Sequence, residues 1–207
     1  MESIDILMMG MEYTGTVIGV LVVLCLIYEK VWAWPLGVLF CVLSAPVMWH
    51  NNLYGYLTLT LIGFLPMNLY GWYYWLFGTE HKAELPITLT PRIVWLIAIT
   101  LSVVAIFLLP YFFDLIVPNY FEEAEYIYLD NSILVLSLVA MWYTARKHIE
   151  NWFIWFIVNV GTVTLYALTE LWGFMVLYVL YIGMAIWGYL QWRRSMDATS
   201  SSESLVT

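Results

Sequence analysis

Long apolar stretches alternate along this chain with short polar joints, and the stretches have the length of membrane crossings. A helix needs about 20 mostly apolar residues to cross a hydrocarbon core of roughly 30 Å. Seven segments meet that requirement: 13–29, 31–49, 53–77, 93–117, 128–146, 151–169 and 171–192. The joints between them hold Glu29-Lys30, His50-Asn51-Asn52, the connection from Gly78 to Pro91, the acidic loop with Glu122, Glu123 and Glu125, the turn Arg146–Glu150, and Glu170. The fifth segment carries Asp130 and Asn131 near its start. The pattern predicts an all-α integral membrane protein with seven transmembrane helices. The first twelve residues are acidic rather than basic, so residues 1–12 read as a short tail and not as a signal peptide.

Composition agrees. The chain is 63% hydrophobic and 11% charged, where a soluble domain carries about a quarter charged residues. The basic residues Lys30, Lys82, Arg92, Arg146, Lys147, Arg193 and Arg194 all fall on one side once the N-terminus is placed outside. The opposite connections, near 50, 118–127 and 170, then contain no Lys or Arg, which is the asymmetry expected of cytoplasmic loops. The C-terminus is therefore cytoplasmic, with a Ser-rich tail over 197–207 that reads as disordered. Much of the net charge of −8 lies in the N-terminal tail and the acidic loop, so no nucleic acid is expected as a partner. Cys25 and Cys41 lie inside spans and read as packing residues, with no disulfide framework or metal site.

The sequence also repeats itself. Tyr70-Gly71-Trp72-Tyr73-Tyr74-Trp75 ends the third span, and Trp187-Gly188-Tyr189-Leu190-Gln191-Trp192 ends the seventh, 117 positions later. Leu53-Tyr54-Gly55 and Leu171-Trp172-Gly173 open the same two spans, 118 apart. Trp32-Ala33-Trp34 opens the second span and Trp152-Phe153-Ile154-Trp155 the sixth, about 120 apart. Residues 13–77 and 128–192 thus read as two three-helix repeats joined by a linker helix over 93–117. Both triplets start outside, so the repeats are parallel. A 3+1+3 arrangement of this kind is a transporter plan, with substrate held near the midplane between the repeats.

The stretch "ENWFIWFIVN" at 150–159 suggests where such a substrate sits. In a helix Trp152, Trp155 and Asn159 stack on one face at i, i+3 and i+7. At 1.5 Å per residue Asn159 lies about 13 Å from Glu150, close to the bilayer centre. An unpaired amide facing hydrocarbon costs several kcal/mol, so Asn159 either joins helices or meets a ligand. Thr162 and Tyr166 extend the face outward, the seventh span adds Tyr178 and Tyr181, and the first repeat offers Trp34, Asn68 and Tyr70. Asn68 follows Pro66, where the helix loses a hydrogen bond and is expected to kink. Indoles, phenols and carboxamides together suit a flat heteroaromatic ligand, and a cationic ring gains further from the π faces. Asp130, near the outer edge, is placed to draw such a cation inward.

Four pieces of sequence are together specific. Trp34-Pro35-Leu36-Gly37, Asn68-Leu69-Tyr70-Gly71-Trp72, Ala145-Arg146-Lys147 followed by Glu150-Asn151-Trp152 and Trp155, and the ending Gly188-Tyr189 with Trp192 resemble the PnuC-type vitamin transporters. The resemblance covers about residues 13–194. It implies seven helices in a 3+1+3 arrangement in the bacterial inner membrane, and uptake by facilitated diffusion with a cytoplasmic vitamin kinase as the trap. Nicotinamide riboside is the family's commonest substrate and is taken first; thiamine, riboflavin and deoxynucleosides are carried by relatives. The sequence departs from the nicotinamide riboside pattern in one respect. The third span reads Gly55-Tyr56-Leu57-Thr58-Leu59-Thr60, and Ala140-Met141-Trp142 precedes the Ala-Arg-Lys run, so the acidic and Gln side chains that suit ribose hydroxyls are missing. A site without them recognises a ribose poorly, which keeps thiamine as the alternative.

Other classes fare worse. Seven spans with an external N-terminus also describe a retinal protein, but every Lys lies near a span end, so no Schiff base can form in the core. A seven-helix ligand-sensing receptor remains the alternative of another class. His50, His81 and His148 are too scattered for a metal site, and no nucleotide-binding loop exists, so neither an enzyme nor a bound cofactor is expected. A homo-oligomer is compatible with the exposed aromatics.

Overall fold

Among the residues that the computed structural model describes, every regular element is helical. Those residues are 2–50, 57, 59–78, 85–116 and 126–204. Among them are seven α-helices: α1 (Glu2–Ile27), α2 (Ala33–His50), α3 (Leu65–Phe77), α4 (Arg92–Ile116), α5 (Ile127–Ala145), α6 (Asn151–Leu168) and α7 (Trp172–Ser204). Five of them, α2 and α4 to α7, are long and apolar enough to cross a membrane, and α1 contributes the shorter apolar stretch Tyr13–Ile27. The opening of the expected third span, residues 53–56, lies outside the described residues.

Two ends differ from the sequence reading. Helix α1 begins at Glu2 rather than after a twelve-residue tail, and α7 continues to Ser204 through the stretch read as disordered. In both places nothing in the sequence breaks the helix. Gly10 is the sole glycine before Tyr13, and neither glycine nor proline follows Gly188. Low hydropathy removes a reason to pack but not the capacity to continue a hydrogen-bonded ladder.

Helix ends are set by residues in the left-handed region. Glu29, Lys147 and Glu170 have φ of 56°, 51° and 58°. Beyond α1, Lys30 N–H donates to Cys25 C=O (2.7 Å) and Glu29 N–H to Leu26 C=O (3.1 Å). Beyond α5, His148 N–H donates to Tyr143 C=O (2.9 Å) and Lys147 N–H to Thr144 C=O (3.0 Å). This is the Schellman pattern, which satisfies carbonyls that a helix end otherwise leaves open. The predicted irregularity near Pro66 is present. Thr60–Phe64 forms a π-helical turn directly before α3, with Leu65 N–H reaching Thr60 C=O, as fits a proline that offers no donor of its own.

The chain divides into two compact units, Met1–Pro86 and Ile87–Thr207. The first holds α1 to α3, with α2 packed on both neighbours. The second holds α4 to α7. The fourth helix is therefore part of the second unit and packs on α5, with the rings of Trp95 and Tyr143 5.5 Å apart. Its entry is latched to the α5–α6 turn. Thr88 N–H donates to Lys147 C=O and Ile149 N–H to Thr88 C=O, both at 3.0 Å. The Glu150 carboxylate accepts from Thr90 N–H and Thr90 Oγ1, both at 2.9 Å. Around this latch Ala140, Tyr143, Ile154 and Val158 form the buried core of α5 and α6.

Candidate functional site

The aromatic and carboxamide positions singled out from the sequence fall into three kinds of place. The first is a joint inside each unit. In the first unit Trp34 opens α2, is 2% exposed, and lies directly on Gly71 of α3, where a Cβ would collide with its six-membered ring. Its ring meets Trp75 edge-on at 5.5 Å and 78°. In the second unit Trp152 opens α6, is 3% exposed, and covers Gly188 of α7, where a Cβ would lie 2.5 Å from its ring. It meets Trp192 edge-on at 5.5 Å and 89°. Edge-to-face pairs of this kind add about 0.5–1.5 kcal/mol beyond burial. In both joints the indole N–H of the first Trp is buried without a hydrogen-bond partner. Trp34 and Trp152 are enclosed by their own units and hold helices together.

The second kind of place is the carboxamide. Asn68 is buried in the first unit, its Nδ2 donating to the C=O of Phe64, the last residue of the π-helical turn (2.9 Å), and lying 3.9 Å from Cys41 Sγ. Its Oδ1 presses on Gly37 of α2, where no side chain would fit. Asn68 therefore joins α2 to α3 and steadies the irregular turn. Asn159 is 6% exposed on α6. Thr162, one turn further, spends its hydroxyl on Val158 C=O at 2.8 Å.

The third kind is the half-buried aromatic ring. Trp155 does not share the setting of Trp152: its Nε1 donates to Thr144 Oγ1 of α5 at 3.1 Å, while part of the ring stays exposed. The sequence-predicted stripe is thus divided, one indole turned to α7 and the next held by α5. Tyr166, Tyr178 and Tyr181 form a chain of edge-on rings at 5.4 and 5.5 Å between α6 and α7. Tyr70 stacks on Tyr74 of its own helix at 5.8 Å. Asp130 is half-buried in the first turn of α5. Beside it, Asn131 donates to Ile127 C=O at 2.7 Å and keeps a buried Oδ1 without a partner. Among the described residues no group of three His, Cys, Asp or Glu is placed to hold a metal ion.

Sequence reasoning passed over Thr144, Trp75 and Trp192 as working residues. Trp75 and Trp192 were visible in the repeated aromatic-Gly-aromatic motif, and read there as a signature rather than as contacts. Thr144 gives no signal alone; its place directly before Ala145-Arg146-Lys147 is the hint.

A family profile described as nicotinamide mononucleotide transporter matches residues 9–194. The chain belongs to this family. It is a multi-pass membrane transporter and not an enzyme, which sets aside the seven-helix receptor. Among curated proteins this transporter is 28% identical over 205 residues to the nicotinamide riboside transporter PnuC of Escherichia coli, covering 89% of this chain and 85% of that protein. It is 26% identical over 194 residues to the riboflavin/roseoflavin transporter RibM of Streptomyces davaonensis, covering 87% and 83%. Among solved structures the crystal structure of the vitamin B3 transporter PnuC superposes with a TM-score of 0.69 at 24% identity, over 89% of this chain and 80% of that one. That likeness establishes the helical fold.

Proposed function

We propose that this transporter takes up nicotinamide riboside by facilitated diffusion across the bacterial inner membrane, with a cytoplasmic kinase trapping the product by phosphorylation. The observation that carries the reading is the setting of Trp155. A half-buried indole is anchored through its N–H, leaves part of its ring open, and lies one helical turn from the buried amide of Asn159. A stacking platform beside a carboxamide recognises a flat ring bearing a polar substituent, as a pyridinium carboxamide does. The curated relative from Escherichia coli, named for nicotinamide riboside, supports the same choice. Thiamine remains the second reading, because the third span lacks acidic and Gln acceptors for a ribose and no Gln precedes the Ala-Arg-Lys run of the fifth.

The two units act as parallel repeats with the N-terminus outside. Four recurring features support this: the left-handed turn residues Glu29 and Lys147 and the indoles Trp34 and Trp152 are each 118 positions apart, and the pairs Gly71/Gly188 and Trp75/Trp192 each 117. Asp130, Tyr166, Tyr178 and Tyr181 serve as the outer approach for a cationic ring. No Asp, Glu, Lys, Arg or His lies near the centre of any described span, so transport runs without a proton or sodium gradient.

A calorimetric panel of nicotinamide riboside, thiamine, riboflavin and thymidine on the purified protein identifies the ligand. Vesicles loaded with nicotinamide riboside kinase and ATP then accumulate label, while vesicles without kinase only equilibrate. Concentrative uptake under an imposed ion gradient, with no kinase present, would overturn the mechanism.

A further inference from the structure

Thr144 lies in the last turn of α5, is 2% exposed, and makes two side-chain hydrogen bonds of opposite sense. Its Oγ1 donates to Ala140 C=O at 2.7 Å and accepts from Trp155 Nε1 at 3.1 Å. A threonine hydroxyl has one proton, and here the backbone takes it. The oxygen can therefore serve the indole only as an acceptor, with its lone pairs in a fixed direction.

Everything behind that oxygen is rigid. A β-branched side chain is stiff at χ1, and the Thr144 carbonyl is itself held by the N–H of Lys147 at 3.0 Å in the turn that ends α5. A tryptophan has two rotatable side-chain bonds, and a directional bond at Nε1 restricts both. We propose that Thr144 is a positioning residue for substrate recognition: through its hydroxyl it sets the plane in which the Trp155 ring meets the substrate. The inference rests on the reading that Trp155 stacks on the vitamin, and it adds a residue that touches no ligand.

The test is a double-mutant cycle on the full-length protein in detergent, with nicotinamide riboside as the probe and thiamine as a second probe, read by calorimetry. Thr144→Val keeps the shape and removes the acceptor. Affinity should fall about three- to tenfold, the worth of one hydrogen bond, and Thr144→Ser should restore it to within about twofold. In a Trp155→Phe background, which has no N–H to hold, Thr144→Val should change nothing further. If Thr144→Val does not fold, Thr144→Ala removes the same acceptor with less crowding and is read the same way. Unaltered affinity in Thr144→Val, or a full loss that persists in the Trp155→Phe background, overturns the positioning role while leaving Trp155 at the ligand. Unaltered affinity in Trp155→Phe and Trp155→Ala overturns the ligand role of Trp155 and this inference with it.

Discussion

The two Trp–Gly–Trp joints are built alike, and they part company one helical turn further in. In the first unit the position three residues after Trp34 is Gly37, and the position three before Gly71 is Asn68, whose amide fills the space that the glycine leaves. In the second unit the corresponding residues are Trp155, three after Trp152, and Ala185, three before Gly188. One unit fills this level with a carboxamide that joins its own helices. The other holds a large ring there, anchored from a different helix. Residues that recur in both units do the common work of holding helices together, and residues that differ are free for work done once. On this argument Trp34 and Trp152 belong to the scaffold, which leaves Trp155 for the recognition role proposed above.

The largest effects should come from breaking the shared joint. Trp34→Ala and Trp152→Ala each remove a fully enclosed ring and should cost about 3–5 kcal/mol of stability. Gly71→Ala and Gly188→Ala force a methyl into the ring that covers them and should cost about 1–3 kcal/mol. The two units should respond alike. Melting of the purified variants in detergent checks this, and a joint that tolerates alanine in one unit alone would undo the equivalence.

The next effects sharpen the difference one turn further in. Gly37→Ala collides with Asn68 Oδ1 and should lower stability by about 1–3 kcal/mol. Trp155→Ala should instead act on binding, weakening affinity for nicotinamide riboside by about 1–3 kcal/mol, the range of base–aromatic stacking. Asn159→Leu should weaken binding as well. Calorimetry beside a melting curve separates the two kinds of loss. If Trp155→Ala lowers the melting temperature as Trp152→Ala does and leaves affinity unchanged, the division between scaffold and recognition fails.

Helix number and type were legible because a bilayer imposes one length and one composition on every span, and the two like joints left a trace in the sequence because glycine and tryptophan are conspicuous. Which tryptophans pack was not. Trp152 and Trp155 share a helical face by period alone, yet one turns to Gly188 and the other to Thr144, and that choice depends on neighbours far away in the chain. The latch was equally hidden, since Thr88, Thr90, His148 and Glu150 are ordinary polar residues lying 60 positions apart. The helical extensions at Glu2 and Ser204 were missed for another reason: polarity reports the solvent that a segment meets and says little about its backbone.

The smallest effect distinguishes the two equivalent turns. Lys30 follows the left-handed residue of the α1–α2 turn, and His148 follows that of the α5–α6 turn. Only the second carries a histidine at this position. The His148 ring lies against Trp142 and Tyr143, and its Nδ1 is 3.0 Å from Thr88 Oγ1. Burial pushes its pKa below the ordinary histidine value; the Glu150 carboxylate pulls the other way and Arg146 adds to the fall. The unfolded chain therefore binds its proton at a higher pH than the folded one. The stability that the neutral ring contributes is complete above the unfolded value of about 6.5 and is lost as the pH falls through the lower folded value. Acidification should thus lower the melting temperature in this window, and His148→Gln, which cannot titrate, should remove that part of the slope. A variant that keeps the whole slope would place the sensitive group elsewhere and leave the two turns equivalent in acid as well.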